Sequence, residues 1–111
     1  MPKYFYLCTG ADTPEDLRDQ INADWMVYMG KLAATGKLRD GAPFGLEGKI
    51  ITPSGSVSEF QWGRENGSDS GGYWILEADN IDEALAITAG CPQFTARGNI
   101  EVREIFEMTP Q

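Results

Sequence analysis

Residues 70–92 read SGGYWILEADNIDEALAITAGCP, and each part of that run prescribes a local conformation. Gly71 and Gly72 form a hinge. From Tyr73 to Ala78 the side chains alternate, with Tyr73, Ile75 and Glu77 on one side and Trp74, Leu76 and Ala78 on the other, the period of a strand. Asn80 is placed to cap a helix, with Glu83 three residues on as its box partner. Ile81, Ala84, Leu85 and Thr88 then recur at helical spacing, predicting a helix over 80–90 whose apolar stripe packs on a sheet. Gly90 and Pro92 are placed to end it.

The N-terminal half carries a second strand and helix. KYFYLCT (3–9) alternates Tyr4, Tyr6 and Cys8 against Phe5, Leu7 and Thr9, a first strand. In TPED, Thr13 suits a cap, Pro14 the first helical position and Asp16 the capping box. Leu17, Ile21, Trp25, Tyr28, Met29 and Leu32 form one apolar face, predicting a helix over 13–35. Gly36 ends it, with Lys31 and Lys37 near its negative pole. Gly30, inside that helix, costs about 1 kcal/mol against alanine.

RDGAPFGLEG (39–48) reads as a turn-rich connection. KIIT (49–52) and SVSEFQW (56–62) read as two short strands of a hairpin with Gly55 at its tight position. GRENGSDSGG (63–72) reads as a polar, mobile surface loop. NIEVREIFEM (99–108) is the last strand, with Ile100 and Val102 opposite Glu101 and Arg103. With the middle strands merged the order is β-α-β-β-α-β, which predicts a ferredoxin-like α+β fold: an antiparallel sheet with helices on one face. Tyr4, Tyr6, Tyr73 and Ile75 are assigned to the helix-free face. That apolar area predicts a homodimer packed sheet to sheet.

At 111 residues, 41% hydrophobic and 23% charged, the chain reads as one soluble domain over 1–111. No apolar run approaches the roughly 20 residues of a membrane span. MPKYFYLCTG is too soon polar for a secretory signal, so a cytoplasmic location is expected. Seventeen acidic against nine basic residues give a net charge of −8, which repels phosphate backbones and anionic bilayers; neither nucleic acid nor membrane is expected as a partner. Cys8 and Cys91 lie far apart without CxxC spacing and read as free thiols. Two cysteines are too few for a four-cysteine zinc site and there is no histidine to complete a mixed one, so no metal or cofactor is expected.

GGYWILEADNIDEALAITAGCP (71–92), GNIEVREI (98–105) and YMGKLAATGKLRDGAPF (28–44) resemble the YCII-related family, in particular its branch of DGPF-domain proteins. The resemblance covers nearly the whole chain, and its most specific parts are GGYWILEAD with DEAL, and IEVR. It implies a ferredoxin-like dimeric α+β barrel, usually a small cytoplasmic bacterial protein of undefined activity; a few relatives act on small aromatic compounds, among them a dehydrochlorinase. The segment that names the branch should precede GGY, where this chain has GRENGSDS; DGAPF at 40–44 is a separate motif. Family members carry a histidine on the first helix and an aspartate after the second, proposed as an active-site pair. Those positions fall on Trp25 and Cys91 here, so the resemblance implies that the pair's chemistry is missing.

Without histidine, acid–base work would fall to carboxylates with raised pKa values. Glu77 and Glu101 are the candidates, both assigned to the cleft between sheets, where Arg103 and Tyr6 can meet them. The simpler reading is an ion pair, such as Glu101 with Arg103, at a dimer interface. Trp25 and Tyr28 are candidates to stack on a flat ligand, although their spacing also suits plain core packing. Cys91 follows a helix, the wrong pole for a reactive thiolate, and reads as a small buried residue. Arg64 lies in a loop without phosphate-binding spacing, and Asp12, Asp16 and Asp19 lack a calcium-loop pattern. Two functions follow. One is a small-molecule-binding or accessory homodimer; the alternative is a small lyase- or isomerase-type enzyme using cleft carboxylate and tyrosine groups.

Overall fold

The computed structural model describes residues 1–45, 47–59, 61–62, 67–68 and 70–108, with side chains described outside 60–70. Strands β1 (Lys3–Thr9), β2 (Leu38–Pro43), β7 (Ser70–Glu77) and β8 (Asn99–Glu104) form one sheet in the order β2-β7-β1-β8. Every neighbouring pair is antiparallel. With α1 (Arg18–Ala34) between β1 and β2, and α2 (Ile81–Ala86) and α3 (Pro92–Thr95) between β7 and β8, the sheet has the ferredoxin-like order.

The fourth strand lies where the sequence reads as a turn. Leu38–Pro43 has almost no β-forming residues, yet it pairs along β7, with Gly41 opposite Trp74 and Pro43 opposite Gly72. Being at the edge, β2 tolerates glycine and a terminal proline, because only one side of its backbone must pair. The expected middle strands instead form a separate hairpin, β3 (Lys49–Ile51) with β4 (Val57–Glu59), all of it exposed. Gly55 does hold the tight turn at φ +86. Beyond it, β5 (Gln61–Trp62) and β6 (Gly67–Ser68) pair as two parallel residues each. Phe60, residues 63–66 and residue 69 of the expected strand and loop lie outside the described residues.

The pairing register corrects the assignment of faces. Tyr4 sits opposite Leu76, Tyr6 opposite Trp74 and Cys8 opposite Gly72, and directly opposed residues share a face. Tyr4, Tyr6, Cys8, Trp74 and Leu76 are all buried, with Tyr6 at 0% exposure. They form the core beneath the helices, together with Leu32, Ala84 and Cys91. The helix-free face carries Phe5, Leu7, Tyr73 and Ile75 instead. There Phe5 stacks on Tyr73 at 5.6 Å and Phe44 on Tyr73 at 5.9 Å.

The helices are shorter than the sequence suggests. Residues Glu15–Leu17 form a 3-10 turn without a side-chain cap, so the box at Thr13 and Asp16 does not form. Asn80 does cap α2: Glu83 N–H donates to Asn80 Oδ1 at 2.9 Å. The Glu83 carboxylate turns away to Lys37 Nζ at 3.4 Å. Ile81 and Leu85, expected in the packing stripe, are 43% and 49% exposed, and α2 meets the sheet through buried Ala84. Pro92 opens α3 at its first turn rather than closing the preceding helix, and Cys91 is its N-cap. No helix among the described residues is long and apolar enough to cross a membrane.

Candidate functional site

The residues singled out from sequence do not converge on one cleft. Tyr6 is on the helix side, and its hydroxyl donates to Ala84 O at 2.8 Å. That carbonyl belongs to the last turn of α2, where Thr88 N–H bonds Leu85 O instead and backbone donors run out. Tyr28 does the same one turn later, donating to Ile87 O at 2.9 Å. Both tyrosines therefore terminate a short helix. Burial pushes the Tyr6 hydroxyl up to about 12, and it stays protonated as a donor.

Glu77, Glu101 and Arg103 do lie on the helix-free face, but apart. Glu77 is opposite Lys3, whereas Glu101 and Arg103 are opposite Leu7 and Phe5 on the far side of β1, two strand spacings or about 10 Å away. Glu77 accepts from Arg39 Nη2 at 2.9 Å. That guanidinium holds its carboxyl below the usual range, the reverse of what a general acid needs. The expected Glu101–Arg103 ion pair is not formed; the ion pairs among the described residues lie elsewhere. Beside them the Tyr73 hydroxyl donates to Asp40 Oδ2 at 2.9 Å, and this bond raises its pKa.

The concavity lies on the other side of the sheet. Trp25, Met26 and Met29 of α1 roof a cleft of about 600 Å³, and Gln93 of α3 closes one end. Its floor is the end of the sheet where Cys8, Gly72 and Pro43 follow one another across three strands. Gly72 sets the height of that floor. A Cβ there would come within 3.0 Å of Ala42 O and 3.2 Å of Pro43 Cα, and one on Gly41 within 3.0 Å of Trp74 Cβ. Any side chain at either position would have to push the neighbouring strand back by a few tenths of an ångström, and the missing side chains leave space under the helix.

Gln93 is fixed by its Nε2, which donates to Thr9 O at 3.0 Å and Asn99 O at 3.2 Å. Trp74 forms the inner wall, stacked on Tyr6 at 4.9 Å and met edge-on by Trp25 and Tyr28 at 5.9 Å each. No carboxylate, lysine or arginine lines the cleft among the described residues. The Cys8 thiol is neutral, pushed up to about 12 by burial and then by nearby Cys91.

Of the sequence candidates, only Trp25 reaches this cleft. Cys91 is buried in the core behind it. It sits at the N-terminal end of α3, not at a helix C-terminus as the sequence suggests, yet burial still outweighs its hydrogen bonds and raises its pKa. Sequence reasoning missed Gly72, Gly41 and Gln93. The Gly71–Gly72 doublet ahead of an aromatic strand is the one local sign of close backbone approach; nothing local marks Gln93. A second hollow of about 520 Å³ lies between α1 and the α2–α3 segment, with Asp24 and Lys31 among its lining residues. Among the described residues no cluster of three or more metal-ligating side chains occurs.

No curated protein matches the chain. A solved structure that it resembles is the 5-chloro-2-hydroxyhydroquinone dehydrochlorinase of Burkholderia phenoliruptrix in complex with 2,5-dihydroxybenzoquinone, at 23% identity and a TM-score of 0.45, covering 87% of this chain and 90% of that one. The YCII-related domain matches residues 4–109, from the start of β1 to beyond the end of β8. The chain belongs to the YCII-related domain family.

Proposed function

We propose that this protein is a small-molecule-binding or accessory homodimer without the histidine–aspartate chemistry associated with its family. The observation that carries this reading is the cleft under α1: about 600 Å³, the size of small-ligand sites, walled by indole and thioether groups. Nothing described in it changes charge near neutral pH. The chain has no histidine, and Trp25 occupies the roof where the family resemblance puts one. Its partner position, Cys91, is a buried neutral thiol. The apolar stripe of Phe5, Leu7, Tyr73 and Ile75 supports sheet-to-sheet pairing of two copies. The same reading places the chain in the cytoplasm, as a divergent bacterial relative of the DGPF branch.

The enzymatic alternative has less behind it. Glu77 is held ionised by Arg39, and the Tyr6 hydroxyl is spent on Ala84 O, away from Glu77 and Glu101.

Titration with Nile red, an uncharged flat dye, tests the binding reading. Saturable binding at one dye per chain, weakened at least about tenfold by Trp25→Ala, is the expected result. Dye fluorescence that never saturates, or that is unchanged in Trp25→Ala, overturns it.

A further inference from the structure

The hairpin of β3 and β4 has little cover from its own chain. Every residue from Lys49 to Glu59 is exposed, and the two strands meet each other far more than any other strand or helix. Pairing puts Ile51 opposite Val57 and Lys49 opposite Glu59, so these four side chains share one face. On it Ile51 is 72% and Val57 56% exposed, while Lys49 and Glu59 form an ion pair. The other face holds Ser58 opposite Ile50. A two-stranded ribbon is marginal in water by itself, and a surface laid against its apolar face stabilises it.

The root of the hairpin points to which surface that is. β2 ends at Pro43, and Phe44 donates its N–H to Gly71 O at 2.9 Å and stacks on Tyr73 at 5.9 Å, on the helix-free face. Only residues 45–48 separate Phe44 from Lys49, so the hairpin starts within about 17 Å of the margin of that face. The face itself is small. Four strands of six to eight residues cover roughly 450 Å² in plan, and Glu77, Glu101 and Arg103 occupy part of it. A stable interface takes about 800 Å² from each partner. Two copies that met by this face alone would fall short, and the apolar side of the hairpin is the area at hand to make up the difference. At −8 per chain two copies repel one another, so added contact must be apolar or internally neutralised. The Ile51–Val57 pair with its neighbouring Lys49–Glu59 pair is both.

We propose that the hairpin over residues 49–59 is a dimerisation arm, which lays its Ile51–Val57 face on a second copy of this chain and receives the partner's arm in return by two-fold symmetry. This rests on the homodimer reading and adds the segment that holds the two copies together. The sheet faces set the orientation of the pair; the arms supply the area that makes it last.

The double variant Ile51→Thr/Val57→Thr tests this, because threonine keeps the β-forming shape and adds no charge. Sedimentation velocity over a dilution series gives the dimer dissociation constant, which should rise at least about tenfold in the variant. In a mixed dimer of ¹³C-labelled and unlabelled wild-type chains, isotope-filtered NOE spectra should connect the Ile51 and Val57 methyl groups to protons of the unlabelled copy. That measurement needs no variant and decides the matter if the variant does not fold. A wild-type dimer that the variant matches in affinity, with arm methyl groups that meet only their own chain, would overturn the arm and leave the sheet-to-sheet dimer standing. Unchanged dimer affinity with altered Nile red binding would also overturn it, and would make the hairpin a cover for its own cleft. A wild-type protein that sediments as a single 12.2 kDa chain at every concentration would overturn the homodimer reading and this inference with it.

Discussion

Replacing Tyr6 by phenylalanine separates a structural tyrosine from a ligand-binding one. The ring can stay where it is, stacked on Trp74 at 4.9 Å with planes 12° apart. What disappears is the 2.8 Å bond to Ala84 O, at a residue with 0% exposure, leaving a buried carbonyl that water cannot reach. Such an orphan costs about 1–2 kcal/mol. An unfolding entropy of about 2.1 cal/mol/K per residue makes roughly 0.23 kcal/mol/K for this chain, so Tm should fall by about 4–9 °C. Tyr28→Phe removes the matching bond to Ile87 O, but that residue is half-buried and water can substitute; about 0.5 kcal/mol, or roughly 2 °C, is expected. Thermal unfolding followed by circular dichroism measures both. Nile red affinity, measured in parallel, should stay within about twofold for Tyr6→Phe, because Tyr6 does not line the cleft. A Tyr6→Phe protein as stable as wild type, or less stable by no more than Tyr28→Phe, would refute the helix-terminating role. Unchanged stability with lost dye binding would return Tyr6 to the ligand site.

Gly30→Ala should raise stability by up to about 1 kcal/mol, since a Cβ there meets nothing within 4 Å; a lower Tm would show that α1 needs the glycine. Gly72→Val should destabilise by about 1–3 kcal/mol, because its Cβ would press on the β2 backbone at Ala42 and Pro43, and should abolish dye binding by filling the cleft floor. Stability should also fall as pH rises from about 9 towards 12. The Cys8 thiol has its pKa raised from 9.0 to about 12 and the Tyr6 hydroxyl from 10.0 to about 12, so the unfolded chain releases these protons first and gains stability relative to the fold. Denaturant midpoints that stay flat over that range would contradict the burial of both groups. Phe5→Glu, on the helix-free face, should convert a dimer to a monomer by light scattering; a mass of one chain for the wild type would refute the sheet-to-sheet arrangement.

Much of the fold was legible from local chemistry alone. The alternation of Tyr73–Ala78, the Asn80 cap and the spacing of Ile21, Trp25 and Leu32 each act within a few residues, and strand, helix and cap appear where those patterns lie. Gly36, Gly55 and Gly90 all take positive φ, as turn and helix-end glycines do. The site was not legible, for two physical reasons. Both sides of β1 are apolar, Tyr4-Tyr6-Cys8 on one and Phe5-Leu7-Thr9 on the other, so hydropathy does not say which meets the helices; only pairing Tyr6 with Trp74 settles it. That one-residue choice moves Tyr6 from the open face to the end of α2 and separates it from Glu77, Glu101 and Arg103. The second reason is that the cleft is made of absences. Leu38–Pro43 is recruited as an edge strand by β7 rather than by its own propensity, and its contact with Gly72 creates a floor that no side chain announces. A cavity belongs to the packing of α1 over three strands; the sequence supplies Trp25, Gly72 and Trp74, and only tertiary structure brings them around the same space.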